Sequence, residues 1–167
     1  DETRTVTIDG GHKIVTYSFG SGDDVLFLVN GGPGLPCDYL REAHSCFAAQ
    51  GFRVVAFDQL DCGASDRPND PSLWTLQRHV RETEEVRRKL GLGKVHFLGH
   101  SWGGWQAIEY ALTFPEGLAT LILSSTVADM PQLRAELDRL KAALGPEAVA
   151  MMQRHEAQGS FTHPEYM

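Results

Sequence analysis

Apolar positions along this chain follow two rhythms, and the switches between them mark out the elements. Thr3 to Ile8 alternates with β-branched residues, Asp9-Gly10-Gly11 breaks the run, and Lys13 to Phe19 alternates again, which predicts a hairpin. Gly20 to Asp24 reads as a turn, and Val25 to Val29 is a continuous apolar run of the kind a strand shows when both its faces are covered. Helical spacing takes over from Asp38 to Gln50, with Asp38 as the expected cap, Leu40, Ala43 and Phe47 on one face and Gly51 as the stop. A strand follows at Arg53 to Phe57. The next helix is predicted over Thr75 to Leu90, with Leu76, Val80, Thr83, Val86 and Leu90 inward, the Arg and Glu residues between them solvated, and Gly91 closing it. Val95, Phe97 and Leu98 give another strand. In WQAIEYALTF, Ile108, Ala111 and Leu112 share a helical face until Pro115, and Leu118 to Leu123 is one more buried strand. Strands alternating with helices predict an α/β fold, a mostly parallel sheet with helices on both faces. Beyond it, Pro131 to Leu144 carries a stripe of Leu133, Leu137, Leu140 and Leu144, and a second helix starts at Pro146 with Val149 and Met152 inward.

Composition narrows the function. The 167 residues are 42% hydrophobic and 22% charged, enough for one globular domain, and the net charge of −7 with no basic run argues against nucleic-acid or anionic-membrane surfaces. A small molecule is the expected partner. Cys37, Cys46 and Cys62 are odd in number and lack Cys-x-x-Cys spacing, which suggests reduced thiols in a cytoplasmic setting. Neither a signal-peptide pattern nor an apolar run of about 20 residues is present in the sequence.

The chemistry concentrates at Lys94 to Gly104, KVHFLGHSWGG. Gly99-His100-Ser101-Trp102-Gly103 fits G-x-S-x-G, a strand that turns abruptly into a helix with a serine on the strained corner and small residues two positions to either side. A bare match of this length is also what a Gly-rich turn containing serine would give. Context favours the elbow: Asn30-Gly31-Gly32-Pro33-Gly34 follows the apolar strand, where an oxyanion loop would supply a second backbone donor. Asp58 to Pro68, DQLDCGASDRP, reads on composition alone as a surface loop.

NGGPG, DQLDCGASDRP and GHSWGGWQAIEYALTFPE together resemble the α/β-hydrolase fold and, more narrowly, the proline iminopeptidase family with its related amino-acid amidases. The resemblance implies Ser101 as nucleophile, the N–H groups of Gly32 and Trp102 as the oxyanion hole, no cofactor and no metal. It implies a peptide or amino-acid amide substrate, opened through an acyl-enzyme. The family's loop usually opens with histidine where this chain has Asn30, a change expected to alter local hydrogen bonding while the backbone donors survive.

In this fold the acid and the histidine follow the serine, each after a later strand. Nothing after Leu123 reads as a strand. The expectation is therefore that residues 1–126 form the N-terminal part of the hydrolase core and residues 127–167 the beginning of a helical lid. A complementary C-terminal polypeptide would then supply the catalytic Asp and His. Asp129 with His155 or His163 is the alternative within the chain; His100 is expected to be packed and hydrogen-bonded rather than the base, and His12, His44, His79 and His96 have no metal-ligand spacing. An esterase or lactonase would share every one of these residues. An epoxide hydrolase or dehalogenase would carry aspartate where Ser101 stands, and a non-catalytic ligand-binding subunit could use the same fold.

Overall fold

Sequence alternation sets the outer edge of the sheet. In the computed structural model, which describes residues 2–167, β1 (Glu2–Thr7) and β2 (Lys13–Phe19) form an antiparallel hairpin with Thr7 opposite Lys13, closed by a 3-10 turn at Asp9–Gly11. The interior strands are β3 (Asp24–Val29) and β4 (Phe52–Phe57), then β5 (Val95–His100), with β6 (Leu118–Ser124) beyond. They make a six-stranded sheet in the order β1-β2-β4-β3-β5-β6. The β1–β2 and β2–β4 pairs are antiparallel, and β4–β3, β3–β5 and β5–β6 are parallel.

Because side chains alternate across a strand, β3 feeds two cores. Phe27 and Val29 join Phe57, Phe97 and residues of α2 (Leu76–Lys89) and α3 (Trp102–Thr113), among them Val80, Val86, Ala107 and Tyr110. Phe27 stacks on Phe57 at 5.5 Å and meets the edge of Phe97 at 5.8 Å. On the other face, Leu26 and Leu28 join Val54, Ala56 and Leu98 against Cys37 and Leu40 of α1 (Asp38–His44). Each fully buried side chain of this size contributes about 1.5–3 kcal/mol of transfer free energy. Helices therefore cover both faces of the sheet, as the alternation of elements predicts.

Local expectations are corrected on each of the three helices α1, α2 and α3. Cys37, not Asp38, stands at the α1 N-cap; Asp38 lies inside the first turn and pairs with Arg41 at 2.8 Å. The same helix tightens into a 3-10 turn over Ser45–Gln50 before Gly51, and Ala43 is exposed. On α2, Glu82, Glu84 and Arg87 are buried rather than solvated. Burial pulls the Glu84 carboxyl upward, but hydrogen bonds from Arg87, Tyr110 and Arg88 outweigh it and hold the group below the usual carboxylate range. Arg87 Nη1 donates to the Leu92 and Gly93 carbonyls at 2.7 and 2.6 Å, and Nε donates to the Tyr110 hydroxyl, so the pair welds α2 to α3 and to the turn before β5. The inward face of α3 is Gly103, Gly104, Gln106, Ala107 and Tyr110, whereas Leu112 is 76% exposed.

Among the described residues β6 pairs only with β5, and Leu121, Ile122 and Leu123 are 38%, 40% and 46% exposed: the run has the apolar character of a buried strand, but its outer edge is open, in keeping with a sequence in which nothing after Leu123 reads as a strand. With no neighbour on its far side, its apolar residues have nothing to pack beneath.

The chain divides into two compact units, the larger ending at Ala128 and the smaller spanning Asp129–Met167. The smaller unit pairs α4 (Met130–Ala143) with α5 (Pro146–Gln158), tied by Lys141 to Glu156 at 2.8 Å. Leu137, Leu140 and Leu144 of its stripe are exposed. Among the described residues, no helix is long and apolar enough to cross a membrane.

Candidate active site

Ser101 occupies the corner between β5 and α3 with φ 53° and ψ −116°, a conformation L-residues rarely adopt. Its backbone is held from both sides. Ser101 N–H donates to the Ser124 carbonyl at 2.9 Å, and the Ser101 carbonyl accepts from Gly104 N–H at 2.9 Å and from the Thr126 hydroxyl at 2.8 Å. The corner is tight enough to exclude side chains. A Cβ on Gly99 would strike the Gly103 carbonyl, and one on Gly103 would strike the carbonyls of Val29 and Asn30. Glycine at both positions is thus a packing requirement, and it lets the first turn of α3 seat directly against the end of β3.

The loop after β3 lies against this corner. A Cβ on Gly31 would fall 3.0 Å from Ser101 Cβ, 3.1 Å from His100 Nδ1 and 3.1 Å from the Tyr39 hydroxyl. Gly31 N–H donates to that hydroxyl at 2.7 Å, and the hydroxyl also meets His100 Nδ1 at 2.7 Å. Burial raises the Tyr39 pKa, so the phenol stays protonated. Gly32 has φ 129°, and a Cβ there would lie 2.7 Å from Gly34 N. Trp102 is the first residue of α3, where helix N–H groups lack intrahelical partners. The sequence-predicted nucleophile and the loop that precedes Gly32 are therefore brought together, with the Trp102 N–H next to the serine along the chain.

Asn30 is 1% exposed, and its amide staples the loop: Nδ2 donates to the Leu35 carbonyl at 2.6 Å and to the Gly31 carbonyl at 3.2 Å. The segment after β4 is not a surface loop, because Asp58, Gln59, Leu60, Cys62 and Ser65 are all buried. Asp58 is its anchor, accepting from Cys37 N–H and Ala64 N–H, each at 2.9 Å, and from the Tyr17 hydroxyl at 3.1 Å. Burial, with the Asp58 charge adding to it, pushes the Tyr17 phenol up to about 12 and raises the Cys37 thiol; burial likewise takes Cys62 to about 11. These thiols are held protonated, which suits packing and not nucleophilic chemistry. A cavity of about 310 Å³ opens beside the loop, lined by Pro33, Gly34, Leu60, Trp74, His79 and Trp102 among others.

The sequence pattern gives no signal for Tyr39 or Gln59, and for Gln106 only its spacing, which puts it on the Gly103–Ala107–Tyr110 face of α3. In the smaller unit, the Asp129 carboxylate caps α4 through Gln132 N–H at 2.9 Å. His155 meets the Ser160 hydroxyl at 2.8 Å and Glu165 at 3.1 Å, and His163 stacks on it at 4.5 Å. All three groups are thus engaged within their own segment. His155, His163 and Glu165 have ligand atoms within 4.8 Å of one another, but Arg154 already holds both Glu165 oxygens at 2.7 and 2.8 Å. A metal cation there would displace or face a guanidinium.

Comparison with known proteins agrees with this geometry. Residues 24–151 match the family model described as the alpha/beta hydrolase fold. The chain is 40% identical over 144 residues to a proline iminopeptidase of Lactobacillus helveticus (strain DPC 4571), covering 85% of this chain and 49% of that protein. It is 34% identical over 160 residues to a proline iminopeptidase of Elizabethkingia meningoseptica, covering 94% and 54%. The crystal structure of the Mycobacterium smegmatis proline iminopeptidase superposes with a TM-score of 0.85 at 33% identity, over 99% of this chain and 57% of that one. The chain thus spans about half the length of the curated relatives it matches. With the elbow, the loop against it and a matching family model in agreement, this chain belongs to the α/β hydrolase fold family, and within it is similar to proline iminopeptidases.

Proposed function

We propose that this chain is the N-terminal part of a cytoplasmic serine hydrolase that releases an N-terminal amino acid, proline among the candidates, from peptides or hydrolyses amino-acid amides. The observation that carries the reading is Ser101 at a positive φ between β5 and α3, with the Gly31 backbone against its Cβ. A serine on such a strand-to-helix corner is suited to act as a nucleophile, and the Gly32 and Trp102 N–H groups would be the donors a developing oxyanion needs. The similarity to proline iminopeptidases supports this choice of substrate class.

In this mechanism Ser101 Oγ attacks the substrate carbonyl carbon and gives its proton to a histidine on a complementary C-terminal polypeptide. Gly32 and Trp102 N–H groups hold the oxyanion, and that histidine protonates the departing amine. Water then attacks the acyl-enzyme and frees the amino acid. The exposed outer edge of β6 is where the complement would add its strands, and residues 127–167 would begin a helical lid. Treatment of the complete protein with a fluorophosphonate should label Ser101, with labelling lost in Ser101→Ala, and the wild type should hydrolyse a prolyl anilide. An unlabelled, inactive wild type would point to a ligand-binding protein instead.

A further inference from the structure

Three buried amides run in line beneath the loop. Gln106 Nε2 donates to Gln59 Oε1 at 3.0 Å, and Gln59 Nε2 donates to the Asn30 carbonyl at 3.3 Å and to Asn30 Oδ1 at 3.4 Å. Asn30 Nδ2 then closes onto the Leu35 and Gly31 carbonyls. Gln106, Gln59 and Asn30 are 0%, 1% and 1% exposed, so none can exchange these partners for bulk water. The sense of the chain is also fixed. Two backbone carbonyls require Asn30 to present Nδ2, which turns Oδ1 toward Gln59 Nε2 and leaves Gln59 Oε1 for Gln106. Flipping any one amide would set acceptor against acceptor or donor against donor.

These amides join three elements that must agree at the site. Gln106 is on α3, the helix that begins at Ser101; Gln59 follows β4; Asn30 opens the loop containing Gly32. We infer that Gln59 and Gln106 are positioning residues for the oxyanion loop: acting through Asn30, they set where the Gly32 N–H stands relative to Ser101. The inference rests on the serine-hydrolase reading above. It differs from a purely structural role because it places the penalty on the reaction at Ser101 in molecules that remain folded.

The test uses the complete protein, a small fluorophosphonate and a prolyl anilide. Gln59→Met keeps the volume and cuts the relay. Its rate of Ser101 phosphonylation and its kcat should each fall about 10- to 100-fold, the scale of a misplacement of about 1 Å, with KM within about twofold and a native near-UV circular dichroism spectrum. Gln59→Glu gives a second readout. Its protonated acid can donate to Asn30 and accept from Gln106, whereas the carboxylate cannot donate, so the ratio of its rate to wild type should be near one at low pH and fall as pH rises. Wild-type labelling that is lost in Ser101→Ala establishes the parent reading. Given that, phosphonylation of folded Gln59→Met within twofold of wild type overturns the relay. If that variant does not fold, a Gln59→Glu ratio independent of pH overturns it. A wild type that is not labelled at Ser101 overturns the parent reading, and the relay with it.

Discussion

Tyr39 takes the Gly31 N–H at 2.7 Å, so the first amide of the loop is spent on a side chain before any substrate arrives. In the proposed mechanism the next N–H, that of Gly32, is the loop's contribution to the oxyanion hole. Gly32→Ala would place a Cβ 2.7 Å from Gly34 N at a φ that disfavours any side chain, so the loop must move. Activity is expected to fall roughly 10²- to 10³-fold, the scale of one lost donor. Tyr39→Phe frees Gly31 and should cost less than about tenfold in kcat, with about 1 kcal/mol of stability lost with the hydrogen bond. Steady-state kinetics on the two variants check the order of the effects.

Ser101 gives a prediction in which activity and stability move in opposite directions. Ser101→Ala should reduce kcat by roughly 10⁶-fold without disturbing the fold. Ser101→Gly should be equally inactive, yet relieve part of the about 1–3 kcal/mol stored in a side chain held at this positive φ. Differential scanning calorimetry should therefore show Ser101→Gly melting above both wild type and Ser101→Ala. A lower midpoint would mean that the hydroxyl or Cβ stabilises the corner more than the backbone strains it.

Two neighbours on α2 should respond to pH with opposite signs. Burial, followed by the Arg78 charge, lowers His79 from 6.5 to about 4. Between those values the unfolded chain holds a proton the folded one lacks, so stability from neutral His79 is present above 6.5 and is lost as pH falls toward 4, about 3 kcal/mol in all. Burial raises Glu82 from 4.5 to about 7 against the opposing Arg78 charge. There the folded state holds the extra proton, and stability falls as pH rises through the window. The two slopes oppose in the wild type. Urea midpoints of Glu82→Gln should rise from pH 4 to 6.5, and those of His79→Phe should fall between pH 4.5 and 7.

The 167 residues on their own should be poorly soluble and bind hydrophobic dyes, because β6 has an unpaired edge and exposed Leu121, Ile122 and Leu123. Co-expression with the proposed C-terminal complement should restore both solubility and labelling of Ser101. A monodisperse isolated chain that hydrolyses an amino-acid anilide would return the acid and base to Asp129 and His155 or His163.

Sequence reading located the strands and the elbow because those features rest on period and on glycine, which act within a few residues of chain. Phe27 and Val29 against Leu26 and Leu28 show this, since one continuous apolar run supplies both cores. It failed where polar groups are buried with partners far along the chain. Glu84 and Arg87 look solvated on a helical wheel, but Tyr110, the Leu92 carbonyl and the Gly93 carbonyl satisfy them in the interior. Gln59, Gln106 and Tyr39 are illegible for the same reason: hydrophobic periodicity carries no signal for a buried amide or phenol whose partners lie on another element.

The order of the strands also bears on synthesis. β3 is the hub of the sheet, with β4 on one side and β5 on the other, and Val29 is in register with Gly99. After Val29 is made, about 70 further residues must be added before its second neighbour exists, several seconds at about 5–20 residues per second. Until β4 is made both edges of this apolar strand are open, and from then until β5 is made one edge remains open. A nascent chain paused between β4 and β5 is therefore the form most in need of a chaperone, and slow codons in the stretch encoding α2 should lower the yield of folded protein more than slow codons placed after β5.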